Sequence, residues 1–264
     1  MTARAVSLRL SSLRLSSLPL SSLGVVAALL CLWQAVTVSG LVSHVFLPSP
    51  VAAAQALADG LTRGNLGPLT LATIERMTYG WLLACLIGVA LGALVGVSAT
   101  LRAWLMPTLE VLRPLPASSM VPVFIGLFGF TPKMVLAVIA FGSLWPVLLA
   151  TIHGFASIEP RLVEVGQALR LSRASFIWKI GLPNALPDAL AGMRLALTVS
   201  LILAIVGEML TSQQGLGRAI LFAARSFHSA DLFAGVMLLG LIGLCGNALL
   251  AAVERSALSW QDFR

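Results

Sequence analysis

The sequence carries little charge for its length. Only 10% of its 264 residues are Asp, Glu, Lys or Arg, whereas 58% are hydrophobic and the mean hydropathy is +0.97; soluble domains average about 25% charged residues. This balance excludes a water-soluble globular enzyme. The net charge of +7 is spread too thinly to form the basic stripe of a nucleic-acid-binding protein. We therefore attribute the basic excess to membrane topology.

Motifs of reactive sites are missing as well. The three cysteines, Cys31, Cys85 and Cys245, lie in apolar runs without CxxC spacing, which disfavours a disulfide framework or a zinc site. HExxH and G-x-S-x-G do not occur, and His44, His153 and His228 are far apart, so a membrane enzyme is disfavoured. The lysines, Lys133 and Lys179, follow Pro132 and Trp178, so no Walker A loop is possible. We expect a non-catalytic chain without metal or cofactor.

Long stretches without charge predict an all-α integral membrane protein with about six transmembrane helices. All but the third stretch, which is shorter, have the roughly 20 apolar residues that a helix needs to cross a bilayer. The fifth is the weakest, because it contains Arg194 and Glu208. The predicted spans are 20–42, 77–97, 115–130, 134–155, 189–210 and 232–253.

The distribution of Lys and Arg over the connections predicts that both termini are cytoplasmic. Most of the basic residues fall on the side of the N-terminus. The predicted domains are a low-complexity cytoplasmic extension (1–19) with repeated SLRLS units, a first helix (20–42), an external loop (43–69), a core domain (70–254) that includes a cytoplasmic loop (157–186), and a cytoplasmic tail (255–264). The first apolar stretch is long enough to span, which favours a retained anchor over a cleaved signal peptide.

Irregular features inside the spans suggest packing and pathway roles. Gly88, Gly92 and Gly96 place small residues on one helix face, which favours close helix packing within the chain or with another chain. Pro116 and Pro122, with Ser118 and Ser119 between them, interrupt the third span. Broken backbone at membrane depth must be buried in protein or face water, so these four residues are candidates for a translocation path, the alternative being an ordinary proline kink.

Glu208 lies near the end of the fifth span, where an ionisable group is costly unless it is paired or wet. Three roles are open to it: contact with a transported solute as part of the path, bracing of a neighbouring helix, or an interfacial position. It is also the only candidate for the ion-coupling carboxylate that a secondary transporter would need within the membrane.

The loop at 157–186 contains an amphipathic element with a motif. Glu164, Ile180, Leu182 and Pro183 match the loop pattern of the permease subunits of ATP-binding-cassette importers, which is Glu-Ala-Ala, three residues, Gly, nine residues and Ile-x-Leu-Pro. Val165 and Gly166 replace the two alanines, and Arg170 takes the place of the glycine, a residue that permits turns arginine resists. From the residues alone, the element is a surface helix or a helix that docks in a partner's groove.

Further segments resemble the nitrate, sulfonate and taurine branch of these permeases. They are RPLP at 113–116, LPNALPDALAGMRLAL at 182–197, GEM at 207–209 and GLG at 215–217. The resemblance covers residues 70–250. It implies a type I importer bundle in the bacterial cytoplasmic membrane, with two permease copies that favour a homodimer, two cytoplasmic ATPases that bind ATP and Mg, and an external or periplasmic solute-binding protein.

The resemblance also implies which residues dock the ATPase and what is transported. The docking residues would be Glu164, Val165, Gly166, Ala168, Leu169, Arg170, Leu171, Ser172, Ile180, Leu182 and Pro183. The transported solute would be a small anion such as nitrate, a sulfonate, taurine or bicarbonate. A thiamine-precursor-like pyrimidine is the alternative within this class, and a secondary transporter is the rival outside it.

Overall fold

The structure, a computed structural model, describes residues 18–258, with side chains from Gly24 onward. The described chain is all α, as predicted. The repeats of the N-terminal extension up to residue 17 and the last residues of the tail lie outside it. The helices are α1 (Leu18–Val38), α2 (Pro50–Thr62), α3 (Leu66–Val97), α4 (Ala99–Leu112), α5 (Val121–Phe128), α6 (Pro132–Ala156), α7 (Pro160–Ala168), α8 (Arg173–Phe176), α9 (Leu182–Thr211), α10 (Leu216–Arg225) and α11 (Ser229–Ala257).

Four described helices are long and apolar enough to cross a membrane. They are α3, α6, α11 and the continuous helix Arg173–Thr211, which joins α8 to α9 through a π-helical turn at Ile177–Gly181. The pair formed by α4 and Ala117–Phe128 adds a fifth span if it is counted as one, and Gly24–Val38 is a shorter apolar helix. The predicted number of six is therefore not confirmed.

The third predicted span is not a straight helix. Residues 115–130 form a four-residue 3-10 helix, Ala117–Met120, followed by the eight residues of α5. This segment is bent by 81° relative to α4. The prolines explain the break, since the ring of Pro116 fixes its φ (−65°) in an extended residue before the 3-10 helix and Pro122 supplies no backbone N–H.

Glycines of α3 set its packing against α6, and they show that the two helices run parallel. A side chain on any of four glycines would overlap a residue of α6, and the two members of each pair are separated by the same 59 residues. The pairs are Gly80–Ile139, Gly88–Val147, Gly92–Thr151 and Gly96–Phe155. The partner of the predicted glycine face is thus a helix of the same chain. Because the helices are parallel, residues 98–131 must return across the bundle.

Helix α9 runs antiparallel to both α6 and α11. Along α6, Gly154 meets Ala185 and Gly142 meets Leu203, and along α11, Gly246 meets Leu197 while Gly243 meets Leu201. The bundle therefore has two ends. We call the end with Val97, Ala156 and Ala257 the loop end, and the end with Leu66, Pro132, Thr211 and Ser229 the far end.

Candidate functional site

The motif at 157–186, which we call the coupling loop, forms a short helix that is folded back by a tight turn. After α7 the N–H of Leu171 donates to Gly166 O (3.0 Å) and the N–H of Arg170 donates to Gln167 O (2.9 Å). Arg170 has φ +50°. These two bonds around a left-handed residue form a Schellman motif, in which glycine normally holds the left-handed position. The turn that the motif glycine makes is therefore kept, with arginine in its place.

The inner face of α7 is fixed to the next helix by a glycine. Gly166 is buried, and a side chain there would overlap the ring of Phe176, with Ile180 next to it. Ser172 caps α8 by accepting a hydrogen bond from the N–H of Ser175 (3.2 Å). Asn184 Nδ2 then donates to Gly154 O (2.9 Å), joining the start of α9 to the end of α6. These contacts join α7 to α8, and α9 to α6.

The outer face of α7 carries unpartnered apolar side chains. Leu162, Val165 and Leu169 recur at helical spacing and are 38%, 48% and 67% exposed. Glu164 is exposed as well, on a different part of the helix circumference. On the inner side, a cleft of about 580 Å³ lies between the coupling loop and the end of α3, lined by residues that include Ser98, Gln167 and Arg173. The coupling loop is thus separated from the bundle on one side and open to a partner on the other.

The structure divides the predicted docking residues into two groups. Glu164, Val165, Ala168, Leu169, Arg170, Ser172 and Pro183 are exposed, whereas Gly166, Leu171, Ile180 and Leu182 are buried or half-buried. The first group can contact a partner directly. Within the second group, Gly166 packs against Phe176 of α8 and lies near Ile180.

The broken span places irregular backbone at mid-depth of the bundle. Ala117 lies against Gly142 of α6, since a side chain on Gly142 would overlap its methyl group. With 1.5 Å per residue, Gly142 is about 15 Å from the far end of α6 and about 21 Å from its loop end. The predicted path residues Pro116, Ser118, Ser119 and Pro122 are all exposed. This surface exposes hydroxyls and non-helical backbone at a depth where lipid cannot hydrogen-bond them.

Glu208 lies at the far end and is fully buried, with both carboxylate oxygens bonded by the protein. Arg76 Nη1 lies 2.7 Å from Oε1, the N–H of Gly217 donates to Oε2 (2.9 Å), and Thr73 Oγ1 lies 3.0 Å from both oxygens. Thr73 Oγ1 also accepts from the N–H of Leu216 (2.9 Å). These bonds join α3, α9 and α10.

The GEM and GLG segments are brought together by this network. A side chain at Gly215 would overlap the carboxylate of Glu208, and one at Gly217 would overlap Ile205 O. Arg76 also donates to Gln214 O. No sequence pattern connects Thr73 or Arg76 with Glu208, and the only available signal is that a buried carboxylate needs a cationic partner.

The model of the family described as binding-protein-dependent transport system inner membrane component matches residues 85–258. The chain belongs to this family. The match includes the broken span, the coupling loop and the Glu208 network, apart from Thr73 and Arg76. It confirms the resemblance recognised in the coupling loop. The permease is thus a membrane component of an ATP-binding-cassette importer and does not carry the ATPase activity itself.

Individual relatives place the permease in the same branch as the sequence motifs do. It is 30% identical over 236 residues to a protein of Bacillus subtilis (strain 168) named as an aliphatic sulfonates transport permease, covering 89% of this chain and 86% of the relative. It is 29% identical over 245 residues to the taurine transport system permease protein of Escherichia coli (strain K12), covering 90% and 88%. It is 31% identical over 182 residues to the nitrate import permease protein of Leptolyngbya laminosa, covering 69% and 65%.

Membership of the family establishes where the permease lies and which kinds of protein it works with. It is a multi-pass protein of the inner membrane that works with a solute-binding protein and with an ATPase. The coupling loop and the broken span are therefore the two parts of the chain whose roles need to be assigned.

Proposed function

We propose that the permease forms the translocation path for a small anion, and that ATP hydrolysis on a docked ATPase drives transport. The observation that carries this proposal is the exposed, irregular segment at mid-depth, from Pro116 to Pro122. We assign an anion as the solute because relatives of the chain are named for sulfonate, taurine and nitrate transport.

The exposed surface of the broken span supports a water-filled path. Ser118 and Ser119 offer exposed hydroxyls in the 3-10 helix that follows the break at Pro116. In lipid each unpaired group would cost several kcal/mol. Water or a passing solute removes this cost. Broken helices at mid-depth are the usual site of solute contact in transporters.

A second copy of the permease would close the path on its other side. Pro116, Ser118, Ser119 and Pro122 lie on one surface of the chain and are not covered by its described helices. A two-fold pair brings identical patches face to face. Two such patches would enclose a channel between the copies, which supports a homodimer with two ATPases.

The coupling loop is proposed to face the cytoplasm, together with both termini. The loop end carries Arg102, Arg161, Arg170, Arg173, Lys179 and Arg255, whereas the far end carries Arg63, Arg76, Lys133, Arg218 and Arg225. The positive-inside rule gives the loop end to the cytoplasm. The solute-binding protein would then meet the far end.

Contact with the ATPase is proposed to involve Leu162, Glu164, Val165, Leu169 and Arg170. The apolar stripe would enter a groove of the ATPase, as amphipathic helices do, with Glu164 and Arg170 as charged contacts at its side. ATP binding shifts the permease only if the ATPase holds α7 differently in its two states. The contacts of Gly166 with Phe176 and of Asn184 with Gly154 would pass that displacement to α9 and α6.

Glu208 is proposed to brace helices and not to touch the solute. Its carboxylate accepts from Arg76 and Gly217 and has no exposed surface. This choice among its three roles also removes support from a secondary transporter, because the carboxylate that would couple an ion is already engaged.

The test is uptake by cells that lack their own transporters and express the permease with its ATPase and binding protein. Accumulation of labelled nitrate, taurine or a sulfonate, with loss on replacement of the ATPase Walker lysine, is expected. Glu164→Leu should abolish uptake while ATP hydrolysis continues. Glu159→Leu is the matched control, since Glu159 is an exposed glutamate just before α7.

Each alternative gives a different result in this test. Accumulation of a labelled pyrimidine without any of the anions would contradict the substrate class. Uptake that persists without the ATPase would contradict the importer mechanism. Equal loss of uptake in Glu159→Leu and Glu164→Leu would contradict the assignment of Glu164.

A further inference from the structure

A charged side chain lies at mid-depth of the bundle, next to the broken span. Arg113 follows the last residue of α4, and its backbone N–H donates to Leu109 O (2.9 Å). Leu109 packs against the cluster of Val95, Leu148 and Ile152. Four residues after Arg113, Ala117 lies against Gly142. Arg113 thus lies between the level of this cluster and the level of Gly142 on α6.

This depth places Arg113 in the membrane interior. Leu148 is about 12 Å from the loop end of α6 and Gly142 about 15 Å from its far end, at 1.5 Å per residue. An extended arginine side chain is shorter than the remaining distance to the loop end. The simple sequence-based explanation, an interfacial residue that snorkels, therefore does not fit its position.

Arg113 is exposed at this depth and is not neutralised by an ion pair. The ion pairs among residues 24–258 are Arg76–Glu208, Arg161–Glu159 and Arg194–Glu254. Glu110 is one turn earlier on α4 and also exposed, but it forms no ion pair with Arg113 in this part of the chain. Exposed charges in the membrane interior face water or another protein chain, because contact with lipid is too costly.

We propose that Arg113 is the residue that selects for anions in the translocation path. Arg113 is five residues before Ser118, in the exposed stretch 113–116 that leads into the broken span, and its charge would give the path a positive potential at mid-depth. In a narrow path with low-dielectric walls such a charge raises the local concentration of anions and lowers that of cations. Glu110 weakens this potential. The proposal rests on the path assigned above and adds the source of its charge selectivity.

The test measures the charge selectivity of the path without the natural substrate. Ser118→Cys is introduced into a background in which Cys31, Cys85 and Cys245 are replaced, and the assembled complex is treated with two thiol-specific methanethiosulfonates. One carries a sulfonate and the other a trimethylammonium group. The ratio of the two reaction rates, anionic over cationic, reports the potential at residue 118.

Arg113→Gln should lower this ratio by about tenfold, since a unit charge at short range in a partly dry path changes both rates in opposite directions. Arg113→Lys should keep most of the ratio, and Glu110→Gln should raise it. Lys133→Gln is the matched control, because this exposed cation lies in the first turn of α6 at the far end. Its ratio should be unchanged.

Leu244→Cys tests whether the two reagents react with a cysteine in a water-filled path but not with a cysteine that faces lipid. Leu244 is 68% exposed and lies midway along α11, so its cysteine should react with neither reagent. If Ser118→Cys is equally unreactive in the assembled complex, the path assignment itself is wrong. If Ser118→Cys reacts but its ratio is the same with Arg113→Gln, the path stands and the role of Arg113 is overturned.

Discussion

Arg76 Nη1 lies 2.7 Å from Glu208 Oε1, although the two residues are 132 positions apart in the chain. The contact links α3 to α9, and Gly217 adds α10 by donating to the same carboxylate. Because Glu208 is fully buried, its charge depends on these donors. The carboxylate of Glu208 thus links α3, α9 and α10 at the far end of the permease.

Removal of the arginine should destabilise the permease strongly. Arg76→Ala leaves a buried carboxylate with its cationic partner missing, which typically costs about 3–5 kcal/mol. We expect a lower Tm in detergent than for Arg218→Ala, a change of an exposed arginine at the same end. The double variant Arg76→Ala/Glu208→Ala should recover part of the loss, because no unpaired charge remains. Additive losses in the double variant would contradict a direct coupling of the two side chains.

The close approach of α3 and α6 should not tolerate side chains on the glycine face. Gly92→Val would overlap Thr151, and the separation of the helices would cost about 1–3 kcal/mol or more. Gly240→Val is the matched control, since no atom lies within 4 Å of a side chain built at this helical glycine of α11. Thermal unfolding of both variants in the same detergent is the measurement. Equal Tm values for the two would contradict the packing described.

The fold class and the family could be predicted from the sequence because both depend on local patterns. Long apolar runs predicted the membrane helices, and the spacing from Glu164 to Pro183 predicted the family. The shape of the third span could not be predicted. Prolines indicate that a helix breaks, but the angle of 81° depends on how Ala117 packs against Gly142, and such contacts join residues far apart in the chain.

The surroundings of Glu208 and Arg113 were missed for the same reason. Arg76 and Thr73 precede Glu208 by more than 130 residues, and no spacing rule connects them. Hydropathy alone places Arg113 at the edge of the third predicted span, where a long side chain can reach the interface. Its depth follows only from the contacts of Leu109 and Ala117 with α6.

The apolar stripe of α7 should be needed for assembly with the ATPase. Val165→Asp places a charge in the centre of the stripe, where Val165 is 48% exposed, and burial of an unpaired charge in an apolar contact costs on the order of several kcal/mol. We expect loss of the ATPase on affinity purification of the permease. Gln167→Asp, on the cleft side of the same helix, should retain it. Retention of the ATPase by both variants would contradict docking through this face.

The turn after α7 should become more stable when its left-handed residue is glycine. Arg170 has φ +50°, a conformation that costs a residue with a side chain about 1–2 kcal/mol. Glycine adopts this conformation without that strain. Part of the stability gained is lost again, because glycine has more conformational freedom in the unfolded chain. Arg170→Gly should therefore slow hydrogen exchange of the α7 amides by a few fold, measured by mass spectrometry of the purified permease. Arg161→Gly, in the first turn of the same helix, should speed exchange, because glycine inside a helix costs about 1 kcal/mol. Faster exchange in both variants would show that the Arg170 side chain stabilises the turn by more than its backbone conformation costs.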